Sequence, residues 1–268
     1  MDPIASLISA FHAEGRPRVW SLLVTVFGDA VQHRGGRIAT LRLQHLLERV
    51  GIEAGALRTA LSRLTSDGWV LRDREGRNSF YRLSENGKAE ISAASIDIYA
   101  PPLNGKVNEW VMASGDNAPE NGIPVAPHLW LIPAGLATDL AHHICLTGML
   151  TSFPQTIRVV TPEHQSALAA LQADISALNG TALTPLDAMA ARMLLIHRWR
   201  RIVLRFPNIP PELFPADATL KNPRELVARA YADLAQKSEI WLECTDHGMA
   251  GMPITSDGIN QRFSHRQA

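Results

Sequence analysis

Four polar side chains between residues 58 and 63 are spaced so that they share one face of a helix. They are Arg58, Thr59, Ser62 and Arg63. Apolar residues fill the opposite face, namely Leu57, Ala60, Leu61 and Leu64. Arginine can bond bidentately to guanine edges, and Ser and Thr hydroxyls contact bases or phosphates. This face therefore predicts contact with nucleic acid.

A second group of arginines, Arg72, Arg74 and Arg77, lies a few residues further along, in a short charged loop between two apolar runs. Positive charge at the tip of a hairpin suits a phosphate backbone or a minor groove. Between residues 34 and 83 there are ten basic and five acidic residues, which gives +5 in a chain of formal net charge 0. The positive charge is thus concentrated around the predicted helix face.

Three helices and a hairpin would position these side chains. Apolar periodicity predicts helices at about 17–31, 40–50 and 53–67, strands at 69–71 and 79–83, and a helix at 85–98. This order is typical of a winged helix-turn-helix, whose third helix enters the major groove. Two alternatives stay open: the arginines are solvated surface charges, or the domain docks a protein. Arg42 and Arg49 are interpreted as ordinary surface charges.

The rest of the chain divides after Pro101-Pro102, because consecutive prolines do not continue a helix. Strands predicted at 110–113, 128–132 and 156–160, with a helix at about 136–150, indicate a small α+β unit. Helices are predicted at roughly 163–178, 185–206 and 223–243. The expected fold class is α+β and mainly helical, with domains at 1–100, 101–161 and 162–268.

A basic and aromatic cluster on the predicted helix 185–206 could bind a ligand that carries phosphates and an aromatic base. Its members are His197, Arg198, Trp199, Arg200, Arg201 and Arg205. Of these, the predicted effector-binding residues are His197, Trp199, Arg200, Arg201 and Arg205. The alternative is structural: a helix leaves the core, and its arginines pair with acids such as Glu212 or Glu225.

Metal and catalytic chemistry find little support in the sequence. The sequence contains two groups of candidate ligands, His142 with His143 and Cys145, and Cys244 with His247. Neither group supplies three or four ligands at a recognised spacing. A GxSxG elbow, an HExxH helix, a Walker loop and a GxGxxG turn are all absent. We therefore expect no metal, no cofactor and no enzymatic activity. Two scattered cysteines, and the absence of a signal peptide or a long apolar run, predict a cytoplasmic protein without a membrane span.

Several segments resemble the PaaX family of phenylacetate-degradation repressors. In the N-terminal part these are RVWSLLVTVFGDAVQHRGGRI and GIEAGALRTALSRLTSDGWVLRDREGRNSFYRLSENG. The resemblance continues in APHLWLIP and in MLLIHRWRRIVLRFPNIPPELFPAD. It implies a homodimeric repressor that leaves its double-stranded DNA operator when it binds an aryl-acyl-CoA effector, typically phenylacetyl-CoA.

The resemblance also implies three parts, namely a winged helix-turn-helix, a ferredoxin-like middle domain and a helical C-terminal domain. It assigns DNA reading to the same four residues that the helical pattern selects. One alternative is a regulator that responds to a different acyl-CoA or ligand. Another is a metal-dependent nuclease, because the family's middle domain is similar in fold to CRISPR adaptation nucleases and Asp116 follows its first predicted strand. A carboxylate beside Gly115 and Asn117 is more typical of a turn.

Overall fold

The computed structural model describes residues 2–76, 78–103, 105–154, 156–245, 250–254 and 262–264. About half of the chain is helical, and two small antiparallel sheets make the protein α+β. The helices are α1 Ala5–Ala13, α2 Val19–Val26, α3 Thr40–Arg49, α4 Ala54–Ser66, α5 Glu85–Ile98, α6 Pro162–Leu178, α7 Pro185–Val203 and α8 Pro223–Glu243. A π-helical segment, Phe27–Val31, continues α2, and 3-10 turns lie at Ala134–Leu136 and Pro211–Leu213. Among the described helices, none is long and apolar enough to cross a membrane.

Two separate sheets contain the strands. The first has the order β1-β3-β2, from β1 Arg37–Ala39, β2 Val70–Glu75 and β3 Asn78–Leu83. The second has the order β5-β6-β4-β7, from β4 Trp110–Ser114, β5 Ile123–Ala126, β6 Leu129–Pro133 and β7 Ile144–Gly148. Strands β2 and β3 form the expected hairpin, in which Arg74 lies opposite Ser79.

Side-chain caps explain where several helices begin. The Ser84 hydroxyl accepts the Gly87 amide at 3.0 Å, so α5 begins at the expected residue. Thr184 and Asp187 form a reciprocal capping box at the start of α7. Proline occupies the first turn of α6, α7 and α8, where its missing N–H costs no helical hydrogen bond.

One large apolar core runs through the N-terminal and C-terminal helices. Helix α7 is buried over most of its length and packs against α8, α6, α3 and α2. Leu43 and Leu46 of α3 therefore share a core with Met189, Leu195 and other residues of α7. The helices that carry the candidate interface are thus packed directly on the C-terminal helices.

The region between α5 and α6 differs from the sequence-based expectation. The helix predicted at 136–150 is wrong, because a 3-10 turn and strand β7 occupy those residues. The strand predicted at 156–160 is also wrong over the part that the structure describes. Within the described residues of 101–161 there is a four-stranded antiparallel sheet and no α-helix, so the helices of a ferredoxin-like domain are missing from this part.

Candidate nucleic-acid interface

Helix α4 presents the polar face that the sequence predicts. Its apolar residues Leu57, Ala60, Leu61 and Leu64 are all buried. The opposite face is exposed and carries Arg58, Thr59, Ser62 and Arg63. Gly51 has a φ of +76° in the turn before the helix, a conformation that glycine adopts without strain. The 13-residue helix is thus fixed by its core side and open to a partner on the other.

The exposed side chains of α4 make few contacts with the rest of the protein. The Thr59 hydroxyl donates to the Gly55 carbonyl at 3.1 Å. Arg63 lies 3.4 Å from Asp67 and stacks over the Trp20 ring at 5.2 Å, yet its side chain remains 61% exposed. An exposed ion pair at this distance contributes little energy, so the Arg63 guanidinium can turn from Asp67 to a phosphate or a base.

A groove of about 750 Å³ runs alongside this face, between α4 and the loop that joins α1 to α2. Thr59 and Arg63 line one wall, and Arg16, Arg18 and Trp20 line the other. Arg16 and Arg18 are exposed, and neither has a carboxylate partner in the described part of the chain. Neither arginine was predicted as a site residue, although Arg-Pro-Arg before a helix is a visible charge signal.

The β2-β3 hairpin also carries exposed arginines. The Arg72 guanidinium donates to the Ser79 hydroxyl at 2.8 Å, across the hairpin. Arg74 is exposed near the end of β2. Arg77, which was also predicted to contact DNA, lies outside the described residues. The hairpin therefore offers at least two positive side chains to a phosphate backbone.

Not all of the local positive charge faces solvent. Arg42, expected on the surface, is buried, and it donates to the carbonyl oxygens of Trp241 at 2.5 Å and Cys244 at 2.8 Å. That interpretation is wrong because α3 is covered by the end of α8. Arg49 is partly buried between the carboxylates of Asp2 and Asp187.

The basic cluster on α7 does not converge on one site. His197 is buried, and its ring lies 3.2 Å from the Thr25 hydroxyl. Burial, together with the nearby positive charges of Arg201 and Arg200, lowers the pKa of His197 to about 4. Trp199 is buried and donates its indole N–H to the Ile98 carbonyl at 2.8 Å. Both side chains are therefore bound within the protein.

The arginines of this cluster point to different neighbours. Arg201 is exposed and pairs with Glu14, while Arg205 lies 3.6 Å from Glu163. These acids differ from the ones proposed in the structural alternative, since Glu212 accepts the Val107 amide and Glu225 pairs with Arg229. Among the five, Arg200 lines a cavity of about 190 Å³, and the buried Trp199 lines a separate one of only about 30 Å³.

The candidate metal ligands are dispersed. His143 contacts the Asn117 carbonyl at 2.8 Å, Cys145 is exposed on β7, and Asp116 is exposed in the turn after β4. His247 lies outside the described residues. Across the described ranges there is no group of three or more His, Cys, Asp or Glu that could hold a metal ion.

Comparisons with known proteins bear on both ends of the chain. Residues 18–87 match the family model described as PaaX-like protein, and residues 159–244 match the PaaX-like protein C-terminal domain. Together the two matches span more than half of the chain. The chain is also 27% identical, over an alignment 281 positions long, to the transcriptional repressor PaaX of Escherichia coli (strain K12), covering 91% of this chain and 89% of that protein. The chain belongs to the PaaX-like protein family.

Proposed function

We propose that this protein is a DNA-binding transcriptional repressor whose residues 1–100 form a winged helix-turn-helix. The observation that carries the proposal is the exposed face of α4, with Arg58, Thr59, Ser62 and Arg63 opposite a fully buried apolar face. Helices α3 and α4 are the helix-turn-helix, α4 enters the major groove, and the β2-β3 hairpin is the wing. The name of the E. coli relative supports this assignment.

Each group of arginines has its own role in this proposal. Arg58 and Arg63 read base edges, because a helix in the major groove brings its exposed face to the bases. Arg72 and Arg74 on the wing, with Arg16 and Arg18 across the groove from α4, contact phosphates and fix the register of the protein on the duplex. Of the remaining divisions of the chain, 101–161 contains the strand proposed below as the dimer contact, and 162–268 packs on the DNA-binding part through α7.

The direct test of this assignment is Arg63→Ala, measured on operator DNA and on random duplex of equal length. Loss of a base contact costs about 1–3 kcal/mol on the operator and much less on random DNA. Arg229→Ala is the matched control, since Arg229 is an exposed arginine of α8 paired with Glu225. Equal operator affinity for wild type and Arg63→Ala would contradict the assignment of α4 to the DNA interface.

We further propose that an aryl-acyl-CoA, of the phenylacetyl-CoA type, releases the repressor from the operator of an aromatic-acid catabolic operon. The ligand must bind one conformation of the protein better than the other, because equal affinities shift no equilibrium. A titration of the operator complex with phenylacetyl-CoA, with unacylated CoA as control, tests this step. Release by phenylacetyl-CoA alone supports it, and release by neither contradicts it.

We also propose that the protein acts as a homodimer, in which two copies of α4 meet half-sites about one helical turn apart or multiples of it. Strand β7 is the candidate contact. It is an edge of its sheet, its five residues are exposed, and Ile144 and Leu146 remain 79% and 64% accessible. Exposed apolar edge strands pair readily with another chain.

A further inference from the structure

A partly enclosed cavity of about 190 Å³ lies between the π-helical segment, α5 and α7, away from the face of α4. Its walls are mostly apolar and include Val24, Ile91, Ala94, Ile98, Ile196 and Leu204. Trp69 and Tyr99 add aromatic surface. A cavity of about 150 Å³ with apolar walls accepts a benzene ring, so this one has room for a ring with one or two further atoms.

Arg200 borders this apolar cavity, and its guanidinium has no ion-pair partner within the described ranges. Arg200 is half-buried, and among the described residues its hydrogen-bond partner is the Ser21 hydroxyl at 3.3 Å. Burial lowers the pKa of Arg200, which reflects the cost of removing its charge from water. Its neighbours on α7 differ, since Arg198 and Arg201 each pair with Glu14.

The acidic residues at the cavity do not neutralise Arg200. The Asp29 carboxylate is held by Arg192 at 2.6 Å and Arg262 at 2.5 Å, so its charge is already compensated. Glu90 of α5 is exposed and, within the described structure, makes no ion pair with Arg200. A half-buried guanidinium next to an apolar wall is stabilised when an anion supplies the missing partner.

We propose that this cavity binds a small aromatic acid, with its ring between α5 and α7 and its carboxylate on Arg200. A free aryl acid carries its carboxylate close to the ring, whereas in its CoA thioester the pantetheine arm separates the ring from the nearest phosphate, so the free acid is the ligand that fits a cavity of this size. The assignment rests on the proposed function in one respect, because it names this cavity as a ligand site of the proposed regulator. It also narrows the five-residue cluster on α7 to Arg200.

The walls of the cavity connect it to the wing. A methyl group on Gly87 of α5 would lie 2.2 Å from the carbonyl oxygen of Trp69, so the start of α5 is in tight contact with the base of β2. A methyl group on Gly28 would lie 2.9 Å from Ile91, which shows how closely the π-helical segment approaches α5 beside the cavity. A ligand that favours one spacing of α5 and α7 therefore also selects one position of the hairpin.

The test is calorimetric titration of the full chain, without DNA, with phenylacetate, benzoate, phenylacetyl-CoA and unacylated CoA. We expect saturable binding of phenylacetate or benzoate, with quenching or a shift of tryptophan fluorescence because Trp69 lines the cavity. Tighter binding of a free acid than of the thioester supports a carboxylate on Arg200, and unacylated CoA is the control for binding through the nucleotide. Binding of neither phenylacetate nor benzoate, or tighter binding of the thioester than of both acids, overturns the proposal.

Three variants locate the site. Arg200→Met keeps the side-chain length and removes the charge, and it should weaken binding by about tenfold or more, as expected for a charge-assisted hydrogen bond. Ala94→Phe fills the cavity and should abolish binding. Arg201→Met, the matched control on the exposed side of the same helix, should stay within about twofold of wild type. Wild-type affinity in both Arg200→Met and Ala94→Phe, with unchanged circular dichroism, contradicts the assignment.

The ligand measurements are independent of DNA. If the wild type binds the anion and Arg200→Met does not, the cavity assignment stands even where the protein fails to bind its operator. Conversely, operator binding without any anion binding supports the regulator and overturns the cavity assignment.

Discussion

The Nε of Arg192 donates to a carboxylate oxygen of Asp29 at 2.6 Å, and both side chains are almost completely buried. Asp29 lies in the π-helical segment after α2, and Arg192 lies in the middle of α7. Arg262 and the hydroxyls of Tyr99 and Tyr231 also bind this carboxylate. Burial opposes ionisation of Asp29, but attraction to Arg192 and Arg262 outweighs it and lowers the pKa of the carboxyl. This pair ties the proposed DNA-reading part to the C-terminal helices.

Breaking the Asp29–Arg192 pair should destabilise the whole protein. In Arg192→Met, the buried carboxylate of Asp29 loses its main partner, and we expect a loss of about 3–5 kcal/mol in the free energy of unfolding. Urea denaturation followed by circular dichroism measures this. Arg229→Ala, which breaks an exposed pair on α8, should cost about 0.5 kcal/mol or less. Similar losses in the two variants would contradict a structural role for the pair.

The stability of the protein should fall between pH 7 and pH 5. Burial lowers the pKa of His197 and of His164 to about 4, and also lowers that of the half-buried His33. In the unfolded chain these rings take up protons near pH 6.5, whereas in the fold His197 and His164 stay neutral until about pH 4. Their contribution is therefore complete above pH 6.5 and is lost as the pH falls toward 4, by about 2 kcal/mol for each fully shifted ring at pH 5.

Denaturant titrations at pH 7 and pH 5 check this dependence. His197→Gln keeps a polar side chain near Thr25 and has no ring to protonate, so its stability should change less between the two values. An unchanged pH dependence in this variant would show that His197 is already protonated in the fold at pH 5.

Phosphate-contacting arginines should differ from base-reading ones in the salt dependence of binding. Arg16→Ala, Arg18→Ala and Arg74→Ala should each weaken binding to operator and random DNA alike, and reduce the slope of log affinity against log salt by about 1. Fluorescence anisotropy at four salt concentrations gives these slopes. A variant that keeps the full slope does not contact a phosphate.

The exposed apolar side of β7 should mediate self-association. Leu146→Asp places a charge on this edge strand, where Leu146 is 64% exposed and a folded monomer tolerates the change. Light scattering coupled to size exclusion should therefore show a shift from dimer toward monomer. Ser114→Asp is the comparison variant on the neighbouring strand β4. A Leu146→Asp protein with the wild-type mass would exclude β7 as the contact.

Local signals predicted the elements that position the candidate interface. The helices at 40–50, 53–67 and 85–98 and the hairpin are observed within a few residues of the expected bounds. Apolar periodicity and the Ser84 cap are local properties, which a sequence displays directly. The exposure of Arg58, Thr59, Ser62 and Arg63 followed from the same periodicity.

Features that depend on tertiary contacts were not visible in the sequence. Arg42 is buried because its guanidinium donates hydrogen bonds to carbonyl oxygens at the end of α8, which lie about 200 residues further along the chain. Strand β1 was missed because its three residues pair with β3 across the domain. Strand β7 was read as helix because its side chains are exposed on both faces, so no alternation of apolar and polar residues marks it.

The most direct measurement of the central claim is the affinity of the purified full chain for the duplex upstream of its own gene, against a scrambled duplex of equal length. The account predicts that the upstream duplex binds at least about a thousandfold more tightly, with affinity that falls steeply as salt increases. It also predicts that Arg58→Ala and Arg63→Ala each reduce this ratio. Equal affinity for the two duplexes, or a ratio unaffected by both substitutions, would contradict DNA reading by α4.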